Sequence, residues 1–372
     1  MKKIACYVLS VVMLLLYGCG IGGSYPSTQY SNSGELTVTM LDVGQGLSVL
    51  VEESGHAMLY DGGSRSASSY VVAYLKEHGN TELDYIIASH YDEDHIAGLV
   101  GVLNTAKVKE AIIPEYTTDT SIFNSFMKAI EKADEVTYAK AGDSYELGSA
   151  TIDILSACQG NETSENDKST VVRVSCGKFS LMLTGDAEKE TERNLVQRGK
   201  NLHSTVYVVG HHGSSSSSSE SFIQAMQPEI ALISVGANNK YGHPTSKTLN
   251  ALESNGIKVY RTDISGTIIL NYNGDSYTIT NEKGNDLGTT VVDEEKNEST
   301  NTAEQLGEYV LNTNTKKFHN PECSAAKKIN NRDKEYSVES RERSRIRYKI
   351  QSVVNLFLRK SKKRLIISFY LT

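Results

Sequence analysis

Tryptophan is absent from this chain of 372 residues, and proline occurs only five times. The low proline count and the lack of a Gly-X-Y period exclude collagen-like and proline-rich architectures. A composition of 39% hydrophobic and 22% charged residues excludes a wholly disordered chain. Positive charge is also scarce: 38 Lys and Arg stand against 45 Asp and Glu, a net charge of -7. Ten of those bases and one acid fall in residues 341–372, which leaves 28 bases against 44 acids, or -16, for the first 340. That balance argues against a broad basic nucleic-acid surface. Long apolar runs are missing beyond the first twenty residues, so no later stretch could span a bilayer.

What is present begins with an export signal. Lys2 and Lys3 precede the apolar run from Ile4 to Leu16, which ends in Leu16-Tyr17-Gly18-Cys19. The ending reads as a bacterial lipobox, with Cys19 as the lipid attachment site and residues 1–19 as the signal; the alternatives are a plain secretory signal or an uncleaved anchor. Each version places the rest of the chain outside the cytoplasm, attached to the cell membrane or secreted. Once Cys6 and Cys19 are accounted for, Cys158, Cys176 and Cys323 remain. Cys158 and Cys176 form either a disulfide or two buried thiols.

Residues 20–34 are small and polar, a spacer, and the fold is expected over 35–282. There, short β-type runs such as LTVTMLDV, SVLVEE, DYIIAS, FSLMLTG and IALISVG alternate with helical segments such as SYVVAYLKEHG and IAGLVGVLN, which predicts sheets covered by helices. Residues 283–305 read as a disordered linker. Residues 306–340 resemble an incomplete His/Cys metal-binding module, with His319 and Cys323 in ligand spacing but no closing Cys-x-x-Cys, and two ligands cannot close a tetrahedral zinc site. The basic tail, 341–372, reads as a degenerate or frameshifted end without a fold; a membrane or nucleic-acid contact is the alternative.

The chemistry concentrates in Ser89-His90-Tyr91-Asp92-Glu93-Asp94-His95, between a strand and a helix. Two imidazoles and two carboxylates within six residues suit metal ions, whose charge offsets carboxylate repulsion. Asp42 and Gln45 in LDVGQG, Asp61 in LYDGGS and Asp186 in LTGD also end strands, as do His211, His212 and Ser214 in GHHGS and His243 in YGHP. Histidine beside glycine at a strand end is a poor core residue and a good ligand or acid.

In that order the motifs resemble the metallo-β-lactamase fold, in the branch related to the hydrolase domain of the DNA-uptake channel ComEC. The resemblance implies an α/β fold, the αββα sandwich, around a centre of two divalent ions. By that pattern His90 and Asp92 help hold one ion and Asp94 and His95 the other. Asp186 bridges, and His212, or else His211, completes a shell. His243 or His211 would protonate the leaving oxygen or hold the phosphate, while Asp42, Gln45, Asp61 and Ser214 stand behind the ligands or touch substrate. Asp92 replaces the second histidine of the family's commoner HxHxDH pattern. A harder, more anionic site follows, which favours manganese or mixed occupancy over a strictly zinc pair. Residues 96–185 contain no histidine, and Asn166-Asp167-Lys168-Ser169 stands where the branch has its own substitute. The implied activity is hydrolysis of a phosphoester, possibly DNA, by a metal-bridging hydroxide. Against DNA stand the acidic balance and the lack of a Lys/Arg or aromatic stripe near the motifs. A serine run at 214–219 reads as a flexible polar loop. The competing reading is a non-catalytic surface lipoprotein with a vestigial hydrolase fold.

Overall fold

The computed structural model describes residues 35–199 and 201–291, and three short strands at 309–312, 317–319 and 334–337. Residues 1–34, on which the expected export signal and the expected lipid site Cys19 fall, lie outside the described residues, as do Cys323 and the basic tail. Among the described residues no helix is long and apolar enough to cross a membrane.

The first half of the chain builds β1 (Leu36–Met40), β2 (Val49–Glu53), β3 (His56–Tyr60), helix α1 (Ser68–Glu77), β4 (Glu82–Ile87), α2 (Glu93–Thr105), β5 (Lys107–Ile113), α3 (Ser121–Ile130) and β6 (Glu135–Tyr138). The chain then forms β7 (Ser144–Leu147), β8 (Ala150–Ser156), β9 (Val171–Cys176), β10 (Phe179–Leu183), α4 (Lys189–Gln197), β11 (Val206–Val208), α5 (Glu220–Met226), β12 (Ile230–Ile233), α6 (Ser246–Ser254) and β13 (Lys258–Arg261). A four-residue helix α7 (Thr262–Ser265) leads to β14 (Ile268–Tyr272), β15 (Ser276–Asn281) and β16 (Asp286–Val291).

The strands form a nine-stranded sheet in the order β16-β15-β14-β1-β2-β3-β4-β5-β6 and a seven-stranded one in the order β13-β12-β11-β10-β9-β8-β7. Side-chain alternation shows how they stack. In β2, Val49 and Val51 join Val172, Val174 and Leu181 of the second sheet in one core, whereas Leu50 between them packs with Val71, Leu99 and Phe126 of α1, α2 and α3. Met182 of β10 likewise faces away from that shared core, onto Leu195, Phe222 and Leu252 of α4, α5 and α6. Strands buried on both faces are apolar at nearly every position, which is why FSLML is buried throughout. The result is helices, sheet, sheet, helices: the expected αββα sandwich.

Several boundaries differ from expectation. Asp286–Val291, expected to begin the disordered linker, is an edge strand antiparallel to β15. Its Leu, Thr and Val content suits a pleated edge, and the preceding polar turn hid it. Helix α5 and strands β6 and β7 were not expected; at seven, four and four residues they are too short to show a period. Cys158 and Cys176 are both buried thiols rather than a disulfide. In the second unit of the chain, β17 (Tyr309–Asn312), β18 (Lys317–His319) and β19 (Lys334–Ser337) form a small antiparallel sheet of their own.

Candidate metal centre

Strands β3, β4 and β5 run parallel, as do β10, β11, β12 and β13. In such sheets the loops beyond the carboxyl ends of the strands converge. Asp61 follows β3, and His90 and Asp92 follow β4. Asp94 and His95 sit in the first turn of α2, Asp186 follows β10, and His211 and His212 occupy the tight turn Gly210–Gly213 after β11. Close backbone approach makes the convergence possible. A Cβ on Gly185 would lie 2.5 Å from that of Ser89, and φ there is +53°, in the left-handed region. On the other side a Cβ on Gly98 would run into the carbonyl of Gly62, so α2 lies directly on the loop after β3.

Three histidines share one arrangement. His95 Nδ1 lies 2.7 Å from Asp61 Oδ2, a carboxylate that can only accept, so Nδ1 carries the proton. His212 Nδ1 faces the carbonyl of Ser234 at 3.0 Å, with the same consequence. His90 Nδ1 lies 2.9 Å from Ser89 Oγ, which spends its own proton on Asp61 Oδ2 at 2.7 Å. Each ring therefore turns its Nε2 inward. His90 Nε2, His95 Nε2, His212 Nε2 and Asp186 Oδ1 are buried and have no hydrogen-bond partner among the described residues. Four orphaned acceptors at one point would be costly in a bare polar core. They are the donor atoms that a divalent cation takes, and the protonated nitrogens behind them hold the rings in the ligating orientation.

Around those atoms Asp186 is central: Oδ1 lies 3.3 Å from His95 Nε2, and Oδ2 lies 3.7 Å from His211 Nε2 and 3.8 Å from His212 Nε2. Asp92 Oδ2 lies 3.5 Å from His90 Nε2, and Asp94 Oδ2 lies 3.4 Å from His212 Nε2. Two ligand groups emerge, His90 with His95 and Asp186, and Asp94 with His95 and His212. The division differs from the expected one in that His95 belongs to both groups, while the buried partner is His212, the residue expected ahead of His211. His211 and His212, with φ of +50° and +52°, take the strained left-handed conformation that swings the second ring inward. Asp92 is the N-cap of α2 yet makes no capping hydrogen bond, so its carboxylate is available to the site.

The electrostatics suit a cation. Burial works against charge on His95, but Asp186 and Asp61 outweigh it and hold the imidazole well above its usual range. His212 is raised likewise, with Asp186 and Asp94 overcoming burial. For Asp186 burial is again the largest influence and again loses, to His95 and His212, so the carboxyl sits well below its ordinary value. Asp94 is brought down to about 2 by His212 and His95 against burial, and Asp92 is lowered first by its hydrogen bond with His90. Carboxylates that draw protons onto buried imidazoles draw a metal ion for the same reason.

The remaining expected residues divide. Asp61 accepts from Ser89 N, Ser89 Oγ and His95 Nδ1 and sits directly behind the ligands. His243 is one ring away, its centroid 5.6 Å from that of His211, and burial together with His211 and His212 lowers its pKa. Gln45 Oε1 accepts from Gly236 N at 3.3 Å and ties the first loop to the loop after β12. Asp42 is exposed, and its carboxylate accepts within its own turn from Gly44 N. Ser214 spends its hydroxyl on Ser216, 2.9 Å away. The serine run is not a loose loop: Ser214, Ser217 and Ser218 are buried, and Glu192 of α4 accepts from the backbone N–H groups of Ser218 and Ser219. In the region without histidine, Asp167 accepts from Glu188 N and Thr191 N, and Ser169 Oγ accepts from Asp186 N. These residues brace the turn that carries Asp186. Ser89 was named within the ligand-rich motif without a role, and Ser234 and Glu192 went unnoticed, because a serine or glutamate gives no signal until the fold shows what it holds.

The model of the metallo-beta-lactamase superfamily matches residues 41–237. Over 288 residues the chain is 33% identical to ComE operon protein 3 of Bacillus subtilis, covering 72% of this chain and 35% of that protein. It is 35% identical over 236 residues to competence protein ComA of Neisseria gonorrhoeae, covering 63% of this chain and 32% of that protein. The chain thus spans about a third of the length of these curated relatives. The metallo-beta-lactamase fold protein YhfI from Bacillus subtilis aligns with 64% of this chain and all of its own at a TM-score of 0.46 and 14% identity. Because the superfamily match runs through every ligand from His90 to His212, the chain belongs to the metallo-beta-lactamase superfamily, as a ComEC-related metal-dependent hydrolase.

Proposed function

We propose that the chain is an extracytoplasmic phosphodiesterase or nuclease that works with two divalent ions, manganese or zinc, and is held at the bacterial membrane through lipid on Cys19. The observation that carries the catalytic part is the set of buried Nε2 atoms of His90, His95 and His212 facing Asp186, with Asp92 and Asp94 beside them. A donor set this rich in carboxylate is hard and anionic, suited to ions that take phosphoryl oxygens as further ligands. One relative is named a competence protein, which fits a nucleic-acid substrate. Bound in this set, divalent ions supply positive charge that polarises a phosphoryl oxygen and acidifies water.

The chain's own residues do the rest. Asp61 and Ser234 fix the ring orientations of His95 and His212, so the ligands need no rearrangement on binding. His211 has Nε2 3.7 Å from Asp186 and Nδ1 3.5 Å from Glu188, placed to pass a proton to a departing oxygen. His243, its pKa lowered by burial and by His211 and His212, lies one ring from Asp186, where a ring N–H can hold a phosphoryl oxygen. The test is hydrolysis of bis(p-nitrophenyl) phosphate and of labelled single- and double-stranded DNA by the full chain with Mn²⁺, Zn²⁺ or EDTA, beside Asp94→Ala/His95→Ala. Metal-dependent cleavage that disappears in the variant is expected. Bound metal without cleavage of any phosphodiester would redirect the search to other esters, and failure to bind metal would leave the vestigial lipoprotein.

A further inference from the structure

Outside the ring of ligands, one exposed aromatic side chain is carried beside the centre on a fixed loop. Tyr241 is 57% exposed, and its hydroxyl bonds to none of the described residues. The loop that carries it is nonetheless fixed. Asn239 Oδ1 accepts from the N–H groups of Tyr241 and His243, both at 3.1 Å, and Asn239 Nδ2 donates to the carbonyls of Gly236 and His243 at 3.0 and 2.6 Å. From this loop the Tyr241 ring stacks on His243, centroids 5.8 Å apart and planes 26° from parallel. His243 in turn meets His211 at 5.6 Å, and His211 Nε2 is 3.7 Å from Asp186. A line of rings therefore leads from the metal centre to an open aromatic face. Lys240 Nζ lies 5.1 Å from the centroid of the Tyr241 ring.

Tyr116, on the other flank, shows the contrast. Its hydroxyl accepts from Tyr91 N and its ring is covered by Lys168, so it is a structural residue. Tyr241 also has a lysine near its ring, but its hydroxyl bonds to none of the described residues and its ring is more than half exposed. We infer that Tyr241 is a substrate platform: a nucleobase next to the scissile phosphodiester stacks on its ring, and Lys240 turns to the neighbouring phosphate. This rests on the phosphodiesterase reading and names the residues that select its substrate. A ring presented on a fixed loop loses little conformational freedom on binding, which is what makes an exposed tyrosine an efficient contact. An exposed lysine over a ring is weakly held, so the incoming base displaces it easily. The acidic balance of the chain limits the electrostatic share of binding, so stacking on the ring must carry most of the contact.

The test uses the full chain and binding without turnover. Anisotropy of an end-labelled oligothymidylate and of an abasic oligonucleotide of the same length is measured in EDTA for the wild type, Tyr241→Ala, Tyr241→Phe and Lys240→Ala. Tyr241→Ala should weaken binding of the thymidylate by about 5- to 150-fold, the range of one lost stack, and leave the abasic strand unchanged. Tyr241→Phe should restore it, and Lys240→Ala should weaken both strands and lower the salt slope by about 0.7. If Tyr241→Ala affects both strands equally, or neither, or if the wild type does not prefer the strand with bases, the platform is refuted. Cleavage is scored separately. A base-selective protein that cleaves no phosphodiester would refute the phosphodiesterase and keep the platform, and a phosphodiesterase indifferent to Tyr241→Ala would do the reverse.

Discussion

Asp61→Asn is the sharpest probe of the centre, because it alters a residue that touches no expected ion. The wild-type carboxylate is fully buried and accepts three hydrogen bonds, from Ser89 N at 2.8 Å, Ser89 Oγ at 2.7 Å and His95 Nδ1 at 2.7 Å. An amide has one accepting oxygen and one donating nitrogen, so whichever way it lies, a donor meets a donor at Ser89 or at His95. If it meets His95, the ring shifts its proton to Nε2 and loses the lone pair offered to the site. If it takes the Oδ1 side, it meets the backbone N–H of Ser89, and that buried donor loses its acceptor. Removing such a partner typically costs about 10- to 100-fold in metal affinity, or about 1.4 to 2.7 kcal/mol. That agrees with the loss of one charged hydrogen bond, about 1.5 to 3 kcal/mol. Urea denaturation with and without Mn²⁺ reads this directly, since at a fixed saturating concentration the stabilisation by metal should shrink by the same ~1.4 to 2.7 kcal/mol. Equal metal-dependent stabilisation in the variant and the wild type would refute the role of Asp61 in orienting His95.

Three further outcomes are expected. Because His95 and His212 are raised above the ordinary imidazole value, their stabilisation of the metal-free protein is full below pH 6.5 and fades as pH rises through their folded values, whereas metal affinity rises over that window; calorimetry in buffers of different ionisation enthalpy should detect the protons released on metal binding. Gly98→Ala puts a Cβ into the carbonyl of Gly62 and should destabilise by about 1 to 3 kcal/mol in urea despite alanine's better helix propensity; a neutral or stabilising result would show that α2 can shift. Glu192→Ala strips the acceptor from the N–H groups of Ser218 and Ser219, at about 1 to 3 kcal/mol for each buried donor left unpaired, and should open the 214–219 loop to proteolysis, while unchanged proteolysis would mean that the loop is held by other contacts.

The sandwich was legible in the sequence because its strands are apolar on both faces and its helices have one apolar side. What escaped were elements too short to show a period, such as Glu220–Met226, and an edge strand behind a polar turn, Asp286–Val291. At the site, the residue types and motif order pointed to metal, but not which atoms meet. That His95 serves both ligand groups follows from the lie of α2, and that His212 rather than His211 is buried follows from two successive left-handed residues. No spacing rule encodes either. The serine run misled because a low-complexity stretch looks mobile, whereas a buried glutamate elsewhere in the chain fastens it. Tyr241 was missed because a platform made of one residue is not a stripe.

The ligands come from the two sides of the sandwich. His90, Asp92, Asp94 and His95 belong to the loop and helix of the first sheet, and Asp186 and His212 to turns of the second. Neither set alone surrounds an ion, and the second arrives only when residue 212 has been made. The candidate ligand set is therefore complete only when both sheets have been made and packed on each other.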